Sequence, residues 1–324
     1  MEEMILLDRE MKEIGPVNMD IDFEVGDISA LNDFEILSSS ALDAYAIYIP
    51  GTEYGGIIEY DEETTDSESV TLKGWTWRGL LTQAIIEPPS GNDYRIVSGE
   101  LNTILRDILS GVLGGFFTVP DVDTGKSITS YQFELYTTVL EGLMDMLSEC
   151  GYRLKIYAKK TEAGGSIKVF CEAVPVSTVE GQYDEDTGLK LRFIRSQMGI
   201  NHMVCMGTGQ LQDRQRIDLY VQENGSIGKT QYYTGLLERT AYYDYNNAES
   251  LEELEESGKK RLRELAGYRK LEITDIDGKS LEIGDIVVGR HRSMGIVVEK
   301  PIVKKILRIE DGRISIEYQV KGEE

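Results

Sequence analysis

The stretch Gly74-Trp75-Thr76-Trp77-Arg78-Gly79-Leu80-Leu81 decides the fold, because it holds both tryptophans of the chain where two kinds of structure meet. Before it, residues 69–74 alternate polar and apolar side chains, which predicts a half-buried strand. After it, apolar residues at helical spacing predict a short helix; they are Leu80, Leu81, Ala84 and Ile85. Pro88 and Pro89 end that helix, because proline cannot continue the hydrogen-bond ladder. The sequence therefore predicts a strand that runs directly into a helix, with large aromatic side chains at the joint. Packing in a core corner is enough to explain these tryptophans.

The same stretch, continued by residues 93–100, resembles the N-terminal module of a family of phage tail proteins. These proteins form the baseplate hub, also called the tail-tip or tail-associated protein, of phages and phage-tail-like particles of Gram-positive bacteria. A second block resembles the same family and comprises residues 283–289, 295–298, 301–302, 310–312 and 314–318. The two blocks bracket most of the chain, and neither of them is catalytic.

The resemblance implies an α+β, mostly β fold with two tube-like β-barrel modules, an α+β insertion module, a helical insertion and a ring-forming hub architecture. In the hub family, three chains with two such barrels each make a ring of six-fold pseudo-symmetry, which fits a hexameric tube on one side and a trimeric spike or tip on the other. The implied partners are therefore two further copies of the chain, the tail tube protein, a spike or tail-tip protein, other baseplate proteins and the tape-measure protein.

The charge of the chain limits its partners. The 324 residues include 57 acidic and 34 basic ones, for a formal net charge of −23, and 41% of them are hydrophobic. Stable nucleic-acid binding needs a basic surface that replaces phosphate counterions, and docking on an anionic membrane needs one as well. Solubility alone would explain the acidity. In a hub, an acidic wall would also let DNA pass without sticking, because like charges repel.

Cellular location is predicted from three features. The three cysteines, Cys150, Cys171 and Cys205, lack paired spacing, which favours buried thiols in a reducing compartment. The acidic start Met1-Glu2-Glu3 lacks the order of a signal peptide, and no apolar stretch approaches a membrane span. We therefore expect synthesis in the bacterial cytoplasm and assembly into a virion or phage-tail-like particle.

Composition and periodicity predict the domain organisation. Short alternating strands predict a first β-barrel module over residues 1–90. Two helices, near residues 98–110 and 133–147, and a strand pair predict an α+β insertion module over 91–177. Residues 178–222 and 268–324 are predicted to form the second β-barrel module. Between them, a capping box at Ser250 and Glu253 begins the clearest helix of a helical insertion, residues 223–267.

The residues offer little for catalysis. His202 and Cys205 could provide two metal ligands, but no second pair completes a tetrahedral site. Residues 225–230 resemble the end of a phosphate loop without its first glycine or a following helix. A glycosidase would need two carboxylates that converge in a cleft. Many members of the hub family have an additional C-terminal wall-degrading domain, and this chain stops at Glu324, so we do not expect that activity. We expect no catalytic residues, no cofactor and no metal.

The leading hypothesis is a structural hub protein that is not an enzyme. The interface candidates are Trp75, Trp77 and Arg78, which also suit a core. The channel-wall candidates are Glu62 and Glu63, in an acidic segment, residues 61–68, that also suits a solvated hairpin tip. Two alternatives stay open: a cell-wall hydrolase of the tail tip, and a carbohydrate-binding module that recognises the host surface.

Overall fold

A computed structural model describes residues 3–17, 19–39, 42–63, 69–161, 165–182, 189–195, 199–209, 214–223, 225–246, 248, 250–266, 269–276, 281–291, 296–310 and 312–321. About 46% of the chain is strand and 19% is helix, which confirms the predicted mostly β, α+β class. None of the helices in the described ranges is long and apolar enough to span a membrane.

The described strands are, in chain order, β1 (Met4–Leu7), β2 (Glu13–Val17), β3 (Asp20–Gly26), β4 (Asp33–Ser38), β5 (Ala46–Tyr48), β6 (Gly55–Glu63), β7 (Val70–Thr76), β8 (Ile96–Glu100), β9 (Phe117–Thr118), β10 (Ser127–Gln132), β11 (Tyr152–Lys160), β12 (Ile167–Pro175), β13 (Thr178–Gln182), β14 (Leu189–Arg195), β15 (His202–Met206), β16 (Arg216–Val221), β17 (Ile227–Gly228), β18 (Thr240–Asp244), β19 (Arg269–Ile276), β20 (Ile286–His291), β21 (Ile296–Glu310) and β22 (Arg313–Val320). The described α-helices are α1 (Trp77–Leu80), α2 (Leu101–Ser110), α3 (Val139–Glu149) and α4 (Leu251–Ala266).

The chain divides into two compact units. The first unit comprises Met1–Leu191 and Ile273–Glu324, and the second unit comprises Arg192–Glu272. The strands β14 and β19, which contain the two boundaries, pair with each other in a two-stranded sheet.

The first unit is built on an eleven-stranded sheet that curls as a half-barrel. Its strand order is β13-β20-β21-β3-β4-β7-β6-β5-β1-β2, and β22 also pairs with β21. Alternation explains these strands, because successive side chains of a strand point to opposite faces. In β3, for example, Ile21, Phe23 and Val25 are buried while the residues between them are partly exposed.

The middle segment of the first unit forms a small α+β layer. The strands β11 and β12 form a nine-residue antiparallel pair, β9 joins β12 in parallel, and β8 pairs with β10. One core cluster joins the buried faces of α2 and α3 to Trp77, Leu80 and Leu81 of the decisive stretch. This joint therefore anchors the middle segment to the large sheet.

The second unit is a four-stranded sheet with a helix. Its strand order is β17-β16-β15-β18, and α4 covers one face. Met203, Cys205 and Leu219 from the sheet pack against Leu254 and Leu262 from α4. Ser250 caps this helix as predicted, because its hydroxyl accepts a hydrogen bond from the Glu253 amide.

Several predicted elements differ from the observed ones. The helix after Trp77 was predicted to reach Ile85, but α1 ends at Leu80 and a single 3-10 turn, Leu81–Gln83, follows it. The second helix of the middle segment begins at Val139 rather than Phe133, because Thr138 caps it and the preceding residues form a turn. The acidic linker 180–188 and the Asp311-Gly312 turn lie partly outside the described residues.

The predicted module boundaries stay a prediction: β13 pairs with β20, as the predicted second barrel requires, but the large sheet also joins segments that the predicted modules separate. The predicted second barrel combined residues 178–222 with 268–324. In the structure, β21 pairs with β3 along six residues, so the C-terminal strands share a sheet with the N-terminal ones. By contrast, β15 and β16 form their own core with α4 in the second unit. Pairing between distant segments accounts for this difference, since a local pattern does not record its partner strand.

Candidate functional site

One face of the large sheet displays charged side chains on six neighbouring strands, and we call it the charged face. The pleat places on it every second residue, opposite the buried positions. Its members are Asp20, Asp22 and Glu24 on β3, Asp33 and Glu35 on β4, Glu62 on β6, Lys73 on β7, Lys304 and Arg308 on β21, and Glu317 on β22. Carboxylates outnumber cations on this face, so it is acidic.

Cross-strand ion pairs order the charged face. The Lys73 ammonium lies 2.8 Å from a Glu35 oxygen and 3.5 Å from a Glu62 oxygen. The Arg308 guanidinium lies 3.0 Å from Asp22 and 3.0 Å from Glu317. Such partly exposed pairs contribute at most about 1 kcal/mol each to stability. Their main effect is therefore to hold the surplus carboxylates in fixed positions across the strands.

The carboxylates lie close enough to influence each other. Partial burial raises the pKa of Asp33 above its usual value, and the negative charges of Glu24, Glu35 and Asp22 raise it further. A like charge nearby disfavours ionisation. The raised pKa of Asp33 therefore reflects the close spacing of the carboxylates on this surface.

The two channel-wall candidates occupy different positions in β6. Glu62 stands opposite Thr71 on the charged face and forms an ion pair with Lys73. Glu63 is exposed and stands opposite Val70, whose side chain belongs to the buried face. The remainder of the predicted acidic segment, residues 64–68, lies outside the described residues.

The three interface candidates are held within the first unit. Trp75 is half-buried and packs at the edge of the core cluster, where its ring lies close to Gly79. Trp77 is fully buried, and Arg78 is buried as well. Within a single chain, Trp77 and Arg78 are therefore core residues, which is the alternative to an interface role that the sequence also allowed. A role of the three residues in contacts between copies stays a prediction.

Arg78 belongs to a buried ionic cluster that the sequence did not predict. Its guanidinium donates to Glu53 at 2.9 and 3.2 Å and to the Leu154 carbonyl oxygen at 3.2 Å. The Lys305 ammonium lies 3.0 Å from the other oxygen of Glu53 and 2.7 Å from Glu282. Burial opposes the charge of Glu53, but Lys305 and Arg78 lower its pKa below the usual value. The cluster thus joins α1, β11, β21 and the loop before β6.

His202 and Cys205 do not converge on a metal position. His202 lies between two carboxylates, with Nε2 at 2.9 Å from Asp218 and Nδ1 at 2.8 Å from Glu238. Cys205 is buried against Gly258 of α4, and burial raises the pKa of its thiol to about 11. Within the described residues, no group of three or more potential ligands is arranged to hold a metal ion.

Residues 225–230, which resemble part of a phosphate loop, form a strand edge. Ile227 and Gly228 make up β17 and pair with β16, and no helix follows them before the 3-10 turn Gly235–Leu237. A phosphate loop instead directs backbone amides from a helix start toward its ligand.

The sequence contained part of the signal for the charged face. The alternation in β3 separates three carboxylates from three apolar side chains, which shows that they lie on opposite faces. The sequence did not show which strand lies beside β3, because Arg308 and its partner Asp22 are 286 positions apart in the chain. No local pattern connects such distant residues.

No protein-family model and no curated protein matches the chain. Among solved structures, it is 15% identical to the prophage MuSo2 43 kDa tail protein of Shewanella oneidensis, with 99% of this chain and 98% of that chain covered and a TM-score of 0.49. It is also 15% identical to prophage tail protein gp18 of Listeria monocytogenes EGD-e, with 99% and 94% covered and a TM-score of 0.48. A chain of the phage P2 baseplate in its activated conformation is 10% identical, with 100% of both chains covered and a TM-score of 0.39.

The predicted resemblance to phage tail and baseplate proteins is confirmed by these similarities, while the Gram-positive hosts remain a prediction. The aligned regions extend over nearly the whole of this chain, at identities of 10–15% and TM-scores below 0.5.

Proposed function

We propose that the chain is a structural protein of a phage tail or baseplate, and that its charged face lines a conduit. The solved structures to which the chain is similar are tail and baseplate proteins, and we propose the same structural role for this chain. The charged face is the observation that carries the proposal for these particular residues. It extends over six neighbouring strands and has more carboxylates than cations.

The chemistry of the charged face suits a wall that DNA passes. Its carboxylates repel phosphate, and its cations are occupied by ion pairs with Glu35, Asp22 and Glu24. Screening at physiological salt limits this repulsion to about 8 Å, so it acts close to the surface. A wall of this kind prevents adhesion without needing a specific contact.

We extend the proposal to a trimeric hub ring that adapts a hexameric tail tube to a trimeric spike or tip, without catalysis. A three-fold ring presents six similar elements only if each chain contributes two. Two strand sets support this arrangement: β1–β7 form one side of the large sheet, and β13 with β20–β22 form the other. They are neighbours where β3 pairs with β21. Two barrel-like modules side by side would thus share one wall.

The oligomeric state is the first test. Mass photometry and negative-stain electron microscopy of the purified chain are expected to give rings with a central hole and three times the chain mass of 36.4 kDa. Rings that form only after tube or spike proteins are added would also agree with the proposal. A monomer that stays monomeric both alone and with these partners would contradict the trimeric hub.

The orientation of the charged face is the second test. Glu62→Cys and Glu35→Cys rings, labelled with a small gold cluster, are expected to show gold at the central hole. The wild-type ring, treated in the same way, is the control for labelling at the half-buried Cys150. Gold at the outer rim for both variants would show that the charged face does not line the conduit.

A further inference from the structure

The strand pair β11–β12 presents a basic, aromatic surface in a chain whose net charge is −23. Along both strands, outward side chains alternate with residues that are buried in the core beneath α2 and α3. We call the outward surface the basic platform, and its members are Lys155, Tyr157 and Lys159 on β11 and Lys168 and Phe170 on β12. It lies apart from the charged face, because β11 and β12 belong to a different sheet from β3 and β4.

Two cations of the platform have no carboxylate partner among the described residues. Lys159 and Lys168 are both exposed and stand directly opposite each other across the strand pair. Like charges in this arrangement destabilise a sheet. Lys155, by contrast, lies 3.0 Å from Glu172. Carboxylates from outside the chain would relieve the repulsion between Lys159 and Lys168.

Aromatic rings hold the platform lysines in place without neutralising them. The Tyr157 and Phe170 rings are stacked, with 5.2 Å between their centroids and 12° between their planes. The Lys159 ammonium lies 4.9 Å from the centroid of the Phe170 ring and 5.4 Å from that of Tyr157. A ring attracts such a cation through its quadrupole and leaves its net charge unchanged. The platform is therefore an ordered positive surface with an apolar centre.

The other side of the same layer has the opposite charge. The helix α3 packs its buried residues on the inner face of β11, so its exposed side points away from the platform. We call that side the acidic helix face, and it consists of Glu134, just before the helix, and Glu141, Asp145 and Glu149, which follow one another at four-residue spacing. None of these four carboxylates forms an ion pair within the part of the chain that the structure describes.

The acidic helix face combines self-repulsion with apolar surface. Partial burial raises the pKa of Asp145, and the negative charges of Glu141 and Glu134 raise it further. Like charges four residues apart also destabilise a helix. Beside them, Leu135 is 51% exposed and Tyr136 is 60% exposed. Apolar side chains within a charged surround are typical of protein–protein interfaces, and both surfaces have this composition.

We propose that the basic platform of one copy of the chain docks on the acidic helix face of the next copy. This inference rests on the proposed ring and names the surfaces through which its copies touch. The two surfaces lie on opposite sides of one layer, so the contact is head-to-tail, and such contacts close into a ring when the rotation between copies permits it. Lys159 and Lys168 meet the exposed carboxylates Asp145 and Glu149 in this contact.

A single strand of nucleic acid is the competing occupant of the basic platform. Such strands bind by stacking bases on free aromatic faces. The Tyr157 ring is covered by Phe170 and by the ammonium groups of Lys155 and Lys159, so it offers little free face. A long polyanion would also be repelled by the rest of this acidic chain, whereas a few carboxylates on a helix match two lysines.

The test reverses the charge of each surface and then of both. Lys159→Glu/Lys168→Glu and Asp145→Lys/Glu149→Lys are each expected to raise the concentration at half-assembly by about tenfold or more, because attraction becomes repulsion. The variant with all four changes is expected to assemble at a concentration within about threefold of wild type, since its contacts have reversed but complementary charges. Mass photometry over a concentration series measures the ring fraction under the conditions in which wild-type rings form.

Lys260→Glu/Arg263→Glu is the matched control, because it makes the same change in net charge at two exposed cations of α4, in the second unit. It should assemble like wild type, and circular dichroism checks that every variant is folded. Normal rings in both reversed pairs, equal weakening in the control, or no rescue by the four changes together would overturn the contact and leave the proposed function intact.

Two further outcomes would also overturn the contact. A wild-type chain that never assembles, alone or with tube and spike proteins, would contradict the ring and the contact together. A fluorescein-labelled oligothymidylate that binds wild type but not Lys159→Glu/Lys168→Glu would assign the basic platform to nucleic acid instead.

Discussion

Arg78 connects parts of the first unit that lie far apart in the sequence. Its guanidinium bonds to Glu53 in the loop before β6 and to the Leu154 carbonyl oxygen in β11. Through Glu53 it also reaches Lys305 in β21. A buried carboxylate of this kind stays charged only while its cations are in place. The arginine of the decisive stretch is therefore part of the interior structure.

Replacement of Arg78 by Met is expected to lower the free energy of unfolding by about 3–5 kcal/mol, because it removes one partner of a buried ion pair. Urea denaturation followed by circular dichroism measures this change. Arg106→Met is the control, since Arg106 is partly exposed. It donates to the Pro120 carbonyl oxygen at 3.0 Å and forms a 3.5 Å pair with the exposed Asp121, so its loss should cost only about 1 kcal/mol. Equal effects of the two variants would show that the buried cluster does not stabilise the fold.

Glu100 predicts a dependence of stability on pH. It caps α2, where its carboxylate accepts from the Thr103 amide at 2.8 Å and from the Thr124 amide at 2.9 Å. Burial raises its pKa, but the hydrogen bond from the Thr124 hydroxyl and those from the backbone amides outweigh burial and lower the pKa to about 2. The folded value lies below the unfolded one of about 4.3. The contribution of Glu100 is therefore complete above the unfolded pKa and is lost as the pH falls toward 2.

The variant Glu100→Gln should lose about 0.5–2 kcal/mol of stability at pH 7, since an amide cannot replace the charge and all the accepted bonds. At pH 2 the difference from wild type should shrink, because the wild-type carboxyl is then about half protonated in the folded chain and almost fully protonated in the unfolded chain, so its charge adds little stability. Urea midpoints at pH 7, 4 and 2 give the comparison. A difference that stays constant over this range would show that ionisation of Glu100 does not contribute.

At the scale of elements, the sequence predicted strands well where one face is buried and the other is not. The alternation at residues 21–25 and 69–74 predicts β3 and β7 to within two residues at each end. The helical spacing of apolar side chains gave a wrong prediction at residues 133–138, which it assigned to the second helix of the middle segment. There Tyr136 has a left-handed φ of 57° and Thr138 caps α3, so the helix starts later. Local periodicity does not show where a turn interrupts it.

The passage from β7 to α1 depends on the absence of a side chain at Gly79. A Cβ atom at this position would lie 2.1 Å from the Asn32 carbonyl oxygen, and backbone cannot move aside easily. The same carbonyl accepts hydrogen bonds from the Thr76 amide and the Thr76 hydroxyl, which caps α1. The turn is therefore fixed from two directions, by a cap and by close backbone contact.

We expect Gly79→Ala to destabilise the chain by about 3 kcal/mol or more, at the upper end of overpacking effects. Gly15→Ala is the matched control, because Gly15 lies in a strand, does not need a positive φ, and a Cβ atom added there would meet nothing within 4 Å. Thermal unfolding of both variants measures the contrast. A small change for Gly79→Ala would mean that the backbone at Asn32 can shift at little cost.

At the scale of the whole molecule, each of the two units has its own core. In the second unit, α4 packs closely on the sheet because Gly258 has no side chain: a Cβ atom there would lie 2.4 Å from the Cys205 sulfur and 2.9 Å from Leu219. The core clusters of the first unit contain other residues. Damage to one core should therefore remain local.

Gly258→Ala is expected to reduce hydrogen-exchange protection in the second unit and to leave that of β3, β4 and β7 unchanged. Mass spectrometry of peptides from residues 199–266 and 20–76 gives this comparison. A uniform loss of protection over both units would show that they unfold as one.

The division into units could not be predicted from local sequence. The predicted modules followed the order of strands and helices along the chain, and this order places residues 178–222 beside the C-terminal strands. In the observed sheet β13 does pair with β20, but β21 also pairs with β3, and β15 and β16 lie in the second unit. The charged face shares this difficulty, because Arg308 and the carboxylates of β3 and β4 come from opposite ends of the sequence. The composition shows that the chain is acidic, but only the order of the strands in the sheet shows where the carboxylates lie together.

The pairing of β21 with β3 also determines when the large sheet can close during biosynthesis. Arg308 leaves the ribosome 286 residues after its partner Asp22, which is roughly 15–60 s later at about 5–20 residues per second. Throughout this interval β3 has an open edge that can pair with another nascent chain. Neighbouring ribosomes on one messenger would present several such edges at once. We therefore expect translation speed to influence whether the sheet closes on its own strand or on that of a neighbour.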